Sequence, residues 1–145
     1  MLTRIKSIED SLVKFLKDDP VRPHIPHAQR IGNGRDVFVL LQDSEPAAIV
    51  CASYQQSIPV DEQGLFESTT DPDAVVFYTI WSYAPGSAAR LIFSAVDQIR
   101  AERPDIKKFV TLSPKTEMAR KFHLKNGAVV YRENAESVNY RYLLS

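Results

Sequence analysis

The chain has 145 residues, with 18 Lys and Arg against 18 Asp and Glu, and a pI near 6.8. This length is typical of one domain with its own hydrophobic core. Zero net charge and the lack of basic or acidic runs disfavour a nucleic-acid partner or a charged membrane surface. A single cysteine, Cys51, excludes an internal disulfide framework and a cysteine-based zinc site.

The N-terminus carries acidic residues where a signal peptide needs an apolar run. No stretch approaches the roughly 18 apolar residues of a membrane span. We therefore expect one cytoplasmic domain over residues 1–145 that binds no nucleic acid and no membrane. These properties are compatible with a homodimer.

The first half of the chain predicts one helix, an irregular arm and three strands. Apolar residues at helical spacing predict the helix, and prolines with glycines predict the arm that follows it. A turn signal between two apolar runs predicts a hairpin, and a run rich in β-branched and aromatic residues predicts a buried strand after a long loop. The predicted elements are helix 7–17, arm 18–36, strands 37–42 and 47–54, loop 55–73 and strand 74–81.

The second half alternates helices with strands. A helix over 87–102 precedes a strand over 108–112, and Pro114 is suited to the first position of a second helix that runs to about residue 126. Gly127 is suited to its C-cap, and strands over 128–133 and 137–144 follow. A strand–helix–strand unit implies a right-handed parallel crossover, so the chain predicts an α/β fold with a mixed sheet.

This order of elements resembles the GNAT fold, an acyl-CoA-binding, acetyltransferase-like architecture. The resemblance implies coenzyme A between two splayed parallel strands, here 74–81 and 108–112, flanked by antiparallel strands. It also implies a pyrophosphate held by the amides that open the helix after the first strand, an anion site at a helix N-terminus. The residues it indicates for binding are Tyr83, Gly86, Ser87, Arg90 and Tyr78.

A Pro-Gly pair before a helix is also an ordinary tight turn, and an arginine in a first helical turn is commonly a solvated surface residue. Tyr78, in the middle of a buried strand, is equally suited to core packing. These interpretations remain alternatives to the phosphate site.

Longer strings resemble the catalytic domain of malonyl-CoA decarboxylase, which is itself GNAT-like. The matching segments are ASYQQSIP at 52–59, AVVFYTI at 74–80, FVTLSP at 109–114, FHLKNGAVVYREN at 122–134 and NYRY at 139–142. The resemblance implies catalytic roles for the serine of Leu-Ser-Pro, the histidine of Phe-His-Leu and a C-terminal tyrosine. In this chain these are Ser113, His123 and Tyr142.

The chain departs from that family in lacking its helical N-terminal domain, in a short segment over 115–121, and in having no glutamate between Gly86 and Arg90. Other readings of the candidates are a helix cap for Ser113, a boundary residue for His123 and core packing for Tyr142. If 114–126 is one helix, Ser113 and His123 lie about 15 Å apart along it, which excludes a Ser–His dyad.

Decarboxylation of malonyl-CoA needs a poorly hydrated carboxylate, donors for the enolate oxygen and an acid for the carbon. No metal or organic cofactor beyond the coenzyme A thioester is expected. One alternative is an N-acetyltransferase that uses acetyl-CoA and an amine, with Glu62 or Glu67 as base. Another is a non-catalytic relative that binds an acyl-CoA or a protein.

Overall fold

The computed structural model describes residues 1–143, which form one mixed sheet, two α-helices and three short 3₁₀ helices. The strands are β1 Leu2–Ile5, β2 Arg35–Gln42, β3 Glu45–Gln55, β4 Ala74–Ser82, β5 Lys108–Thr111, β6 Ser113–Pro114, β7 Ala128–Glu133 and β8 Ser137–Tyr142. The α-helices are α1, Ser87–Glu102, and α2, Glu117–Lys125. The 3₁₀ helices are Ser11–Asp18, His27–Arg30 and Glu62–Phe66. Within the described residues, no helix is both long enough and apolar enough to cross a bilayer.

The strands lie in the order β1-β2-β3-β4-β5-β8-β6, and β7 pairs with β8. All neighbours are antiparallel except β4 and β5, which are parallel and are joined through α1. The predicted mixed sheet around a parallel pair is therefore confirmed, and so are the bounds of the helix over 87–102.

The sheet separates two hydrophobic clusters. One face packs against α1, whose buried residues Leu91, Ile92, Ala95, Val96 and Ile99 recur at helical spacing. The other face is covered by the 3₁₀ helices and the arm between them, through Leu16, Ile25 and Leu65. Strand residues alternate between these clusters, as Val75 and Phe77 do against Val76 and Tyr78.

The N-terminal prediction was wrong in two respects. The chain begins with β1, and the predicted helix over 7–17 is a 3₁₀ helix over Ser11–Asp18. Its N-cap is Asp10, whose Oδ1 accepts a hydrogen bond from the Leu12 amide at 2.9 Å. Pro20 ends the turn, because a residue that precedes proline avoids the helical region, and Asp19 has a ψ of 112°. The arm and the long loop each contain a 3₁₀ helix as well.

The start of the second helix was also misplaced. Ser113 and Pro114 form β6, which pairs with β8, and α2 begins at Glu117. Thr116 is the N-cap, since its hydroxyl accepts from the Ala119 amide at 3.2 Å. Ser113 is therefore not a helix cap, and the helical separation assumed for Ser113 and His123 does not apply.

The remaining boundaries differ by a residue or a few. The strand predicted over 108–112 ends at Thr111, and the strands predicted over 37–42 and 47–54 extend to 35–42 and 45–55. The last strand ends at Tyr142, and residue 144 of the predicted 137–144 lies outside the described residues.

Candidate functional site

Strands β4 and β5 pair only over their first four residues and then separate. The last parallel pair is Phe77 with Thr111, and the Leu112 amide still donates to the Phe77 carbonyl at 3.1 Å. On its other side β4 has a bulge at Tyr78, since Cys51 pairs with Thr79 and Ala52 with Phe77. A bulge bends its strand, which here directs the end of β4 away from β5.

Arg22, from the arm, lies where the two strands part. Its Nε donates to the Tyr78 carbonyl at 3.0 Å and one terminal nitrogen donates to the Leu112 carbonyl at 2.7 Å. The other terminal nitrogen lies 3.2 Å from Glu62. The guanidinium therefore satisfies two carbonyls that strand pairing leaves free, and it lies between the two strands where they separate.

A cleft of about 360 Å³ occupies this gap. Its lining comes from β4, β6, both α-helices and the arm, and is mainly apolar: Pro20, Val21, Phe77, Tyr78, Thr79, Ile80, Trp81, Ser82, Ala88, Ile92, Ser113, Pro114, Thr116, Met118, Ala119, Phe122 and His123. Within the described part of the chain no Asp, Glu, Lys or Arg belongs to this lining. His123 is the lining residue whose ordinary pKa is nearest neutrality.

His123 is buried near the end of α2 and is hydrogen-bonded to Tyr142 of β8. Its Nδ1 lies 2.7 Å from the Tyr142 hydroxyl, and its ring stacks on Tyr140 at 5.0 Å between ring centres. Burial lowers the pKa of His123 to about 4 and raises that of Tyr142 above its ordinary value. Both groups are therefore neutral at physiological pH. Nε2 makes no hydrogen bond within residues 1–143.

Ser113 lines the same cleft but does not bond to His123. Its hydroxyl lies 2.8 Å from that of Thr111, which also accepts from the Tyr140 amide. The structure thus brings two of the three predicted catalytic side chains, His123 and Tyr142, into direct contact and places Ser113 on the same cavity. Tyr142 itself is not part of the lining, and it contacts the lining residue His123 through this hydrogen bond.

In the predicted anion-binding turn, main-chain groups are more available to a ligand than side chains are. Gly86, the N-cap of α1, has a φ of +74° and leaves the first turn without a side-chain cap. The Ser87 hydroxyl lies 2.7 Å from the Ala47 carbonyl and 2.6 Å from that of Ala84. The Tyr83 amide donates to the Ala47 carbonyl, so this residue also fixes the turn to β3.

The remaining predicted contacts differ in accessibility. Tyr83 donates its hydroxyl proton to Asp18 at 2.8 Å and accepts from Trp81, and burial raises its pKa to about 12. Tyr78 lines the cleft, and its side chain is buried in the hydrophobic cluster on the arm side of the sheet. Arg90 is exposed on the first turns of α1, 3.4 Å from Gln42.

The arm residues at the cleft were not predicted from the sequence. A fully buried ion pair, Arg30 with Asp19 at 2.8 Å, fixes the arm. Asp19 also accepts from the Thr79 hydroxyl and from the amides of Val21 and Arg22. Burial alone would raise the pKa of Asp19, and these hydrogen bonds hold it below its ordinary value instead. The spacing of an Asp and an Arg within a proline-rich segment does not predict that their side chains pair.

No protein-family profile and no curated protein sequence matches this chain. Solved structures do match its fold. A malonyl-CoA decarboxylase from Cupriavidus metallidurans has a TM-score of 0.76 and 16% identity, over 99% of this chain and 60% of that one. The chain thus spans less than two thirds of the decarboxylases that it matches.

Acetyltransferase-like domains match as well. The GNAT domain of PAT from S. lividans has a TM-score of 0.71 and 14% identity, over 99% of this chain and 89% of that one. AAC(6')-Ib, solved with paromomycin and acetyl-CoA, has a TM-score of 0.67 and 15% identity, over 98% of this chain and 92% of that one. The chain therefore has a GNAT-like fold that resembles malonyl-CoA decarboxylase, as the sequence predicts.

Proposed function

We propose that this chain binds an acyl-CoA in the cleft and converts malonyl-CoA to acetyl-CoA and CO₂. The observation that carries the proposal is the neutral, buried His123 in a cleft whose described lining has no carboxylate. With a pKa of about 4, the His123 imidazole is a weak base for an amine, whereas its N–H can still donate a hydrogen bond to an enolate oxygen. The structures with this fold include malonyl-CoA decarboxylases and an acetyl-CoA complex.

Binding would rely on the main chain at the start of α1. The first-turn amides have no side-chain cap, and Ala88 of that turn lines the cleft. A pyrophosphate there would accept hydrogen bonds from these amides and would lie at the positive end of the helix dipole. Arg90, which is exposed one turn further, would make a second phosphate contact. From this end the thiol arm would run between β4 and β6 toward His123.

In the reaction the bond between the carboxylate carbon and the α-carbon breaks, and its electron pair moves onto the α-carbon and the thioester oxygen. CO₂ leaves, and the enolate takes one proton at the α-carbon. A Tyr142 hydroxyl that donates to Nδ1 would keep the proton of His123 on Nε2, on the cleft side. That N–H would stabilise the enolate oxygen, as preorganised donors do. Tyr142 would then be a positioning residue, His123 would keep its Nε2 proton, and solvent would supply the proton that the α-carbon takes up.

Incubation of the purified chain with malonyl-CoA tests this function. We expect acetyl-CoA to form, detected by chromatography, and His123→Ala to lower kcat/KM by about 10²-fold or more, as loss of a positioned donor does. His27→Ala, the same change at a histidine outside the cleft, is the matched control and should leave the rate unchanged. Absence of acetyl-CoA, or equal rates for the two variants, would contradict the proposal.

The second candidate is an N-acetyltransferase, which the AAC(6')-Ib likeness favours. Its best base in this chain is Glu62, which is engaged with Arg22 at 3.2 Å and with His24 at 2.5 Å, on the arm side of the strands. Release of thiol from acetyl-CoA that requires an added amine, and that Glu62→Gln abolishes, would support this function in place of decarboxylation. Binding of acyl-CoA without either reaction would indicate a non-catalytic relative.

A further inference from the structure

The cleft extends through the sheet from one face to the other. Ala88, Ile92 and Phe122 line it on the side of the α-helices. Pro20 and Val21, which belong to the arm on the opposite side, also line it. A cavity with walls on both faces must pass between the parted strands, so the arm forms its far wall.

The position of this wall along the cleft follows from Arg22. Its guanidinium bonds to the Tyr78 and Leu112 carbonyls, at the point where the strands part. Val21, the adjacent residue, therefore lies at the closed end of the gap. Ala88, in the first turn of α1, lies past the opposite end of β4. A ligand whose phosphates bind at α1 would thus direct its acyl end toward Val21.

The wall is held firmly in place. Asp19 accepts hydrogen bonds from the amides of both Val21 and Arg22, at 2.8 and 2.9 Å. Asp19 is itself paired with Arg30, and neither of the two side chains is exposed to solvent. Breaking such a pair leaves an uncompensated buried charge, which makes withdrawal of the arm unfavourable.

We propose that Pro20 and Val21 restrict the ligand to short acyl chains by closing the cleft just beyond the thioester. This inference rests on the proposed acyl-CoA binding and names the substrate class of that site. Acetyl and malonyl groups would end before the wall, whereas each further methylene would have to displace Val21.

Isothermal titration with coenzyme A and with acetyl-, butanoyl- and hexanoyl-CoA tests the inference. We expect the unmodified chain to bind hexanoyl-CoA at least about 10-fold more weakly than acetyl-CoA, since one methylene in a tight pocket discriminates by roughly 10–200-fold. Val21→Ala should restore most of the hexanoyl-CoA affinity with little change for acetyl-CoA. Val129→Ala, the same truncation at an exposed position of β7, should keep the original dependence on chain length.

Val21→Leu provides the opposite test and keeps the experiment decisive if the alanine variant fails to fold. It should weaken butanoyl-CoA binding while acetyl-CoA still binds. Acetyl-CoA and hexanoyl-CoA affinities that are equal in the unmodified chain, or that respond to neither Val21 variant, would overturn the inference while leaving acyl-CoA binding intact. Failure of coenzyme A and of every thioester to bind would instead overturn the proposed function.

Discussion

At the scale of single residues, His123 has a pH-dependent effect on stability. Its folded pKa, about 4, lies below its ordinary value of 6.5 because burial disfavours the imidazolium. The unfolded chain therefore binds a proton more readily than the folded chain between these values. The contribution to stability is complete above pH 6.5 and is lost as the pH falls toward 4.

Denaturant unfolding at several pH values measures this effect. Relative to His123→Asn, whose amide oxygen lies where Nδ1 does and can still accept from Tyr142, we expect the unmodified chain to lose about 3 kcal/mol between pH 6.5 and 4. Carboxylates titrate in both proteins, so the difference between them isolates the histidine. Parallel stability curves across this range would show that the imidazole is not held neutral by burial.

At the scale of elements, two features accompany the separation of β4 from β5: a bulge at Tyr78, and the Arg22 guanidinium that lies in the gap. The bulge bends one strand, and Arg22 satisfies the carbonyls that the bend leaves unpaired. Lysine cannot reproduce this contact, because one ammonium has no planar fork with which to reach two carbonyls.

Arg22→Lys and Arg22→Met should therefore both weaken acyl-CoA binding. The methionine variant should also lose about 1–3 kcal/mol of stability, because the carbonyls of Tyr78 and Leu112 then have no hydrogen-bond donor. The matched control is Arg100→Met, at an exposed position of α1. Titration with acetyl-CoA and denaturant unfolding provide the two readouts. Unchanged affinity in both Arg22 variants would mean that the bulge alone keeps the cleft open.

At the scale of the whole molecule, the sequence predicts what local patterns encode. The sheet, α1 and the parallel crossover follow from apolar runs and helical periodicity, and the motif strings place His123 and Tyr142 at the candidate site. The Ser-Pro pair was misleading, because proline at a helix start and proline in a short edge strand look alike in sequence. The contacts of Arg22 span 56 and 90 residues, and no local pattern indicates them.

The attachment of the arm to the sheet also depends on long-range contacts, and Arg30 is central to them. Arg30→Met leaves Asp19 charged and buried without its partner, which typically costs about 3–5 kcal/mol, a large part of the stability of a small domain. Lys108→Met removes a pair with Asp73 in which both side chains are more than a third exposed, so it should cost about 1 kcal/mol or less.

Denaturant unfolding measures both costs, and hydrogen exchange locates them. In Arg30→Met the amides of Val21 and Arg22, which bond to Asp19, should lose protection before those of β3 and β4. The far wall of the cleft would then loosen while the sheet stays folded. Equal stability of the two variants, with exchange at Val21 unchanged, would mean that apolar contacts such as those of Leu16 and Ile25 hold the arm without the ion pair.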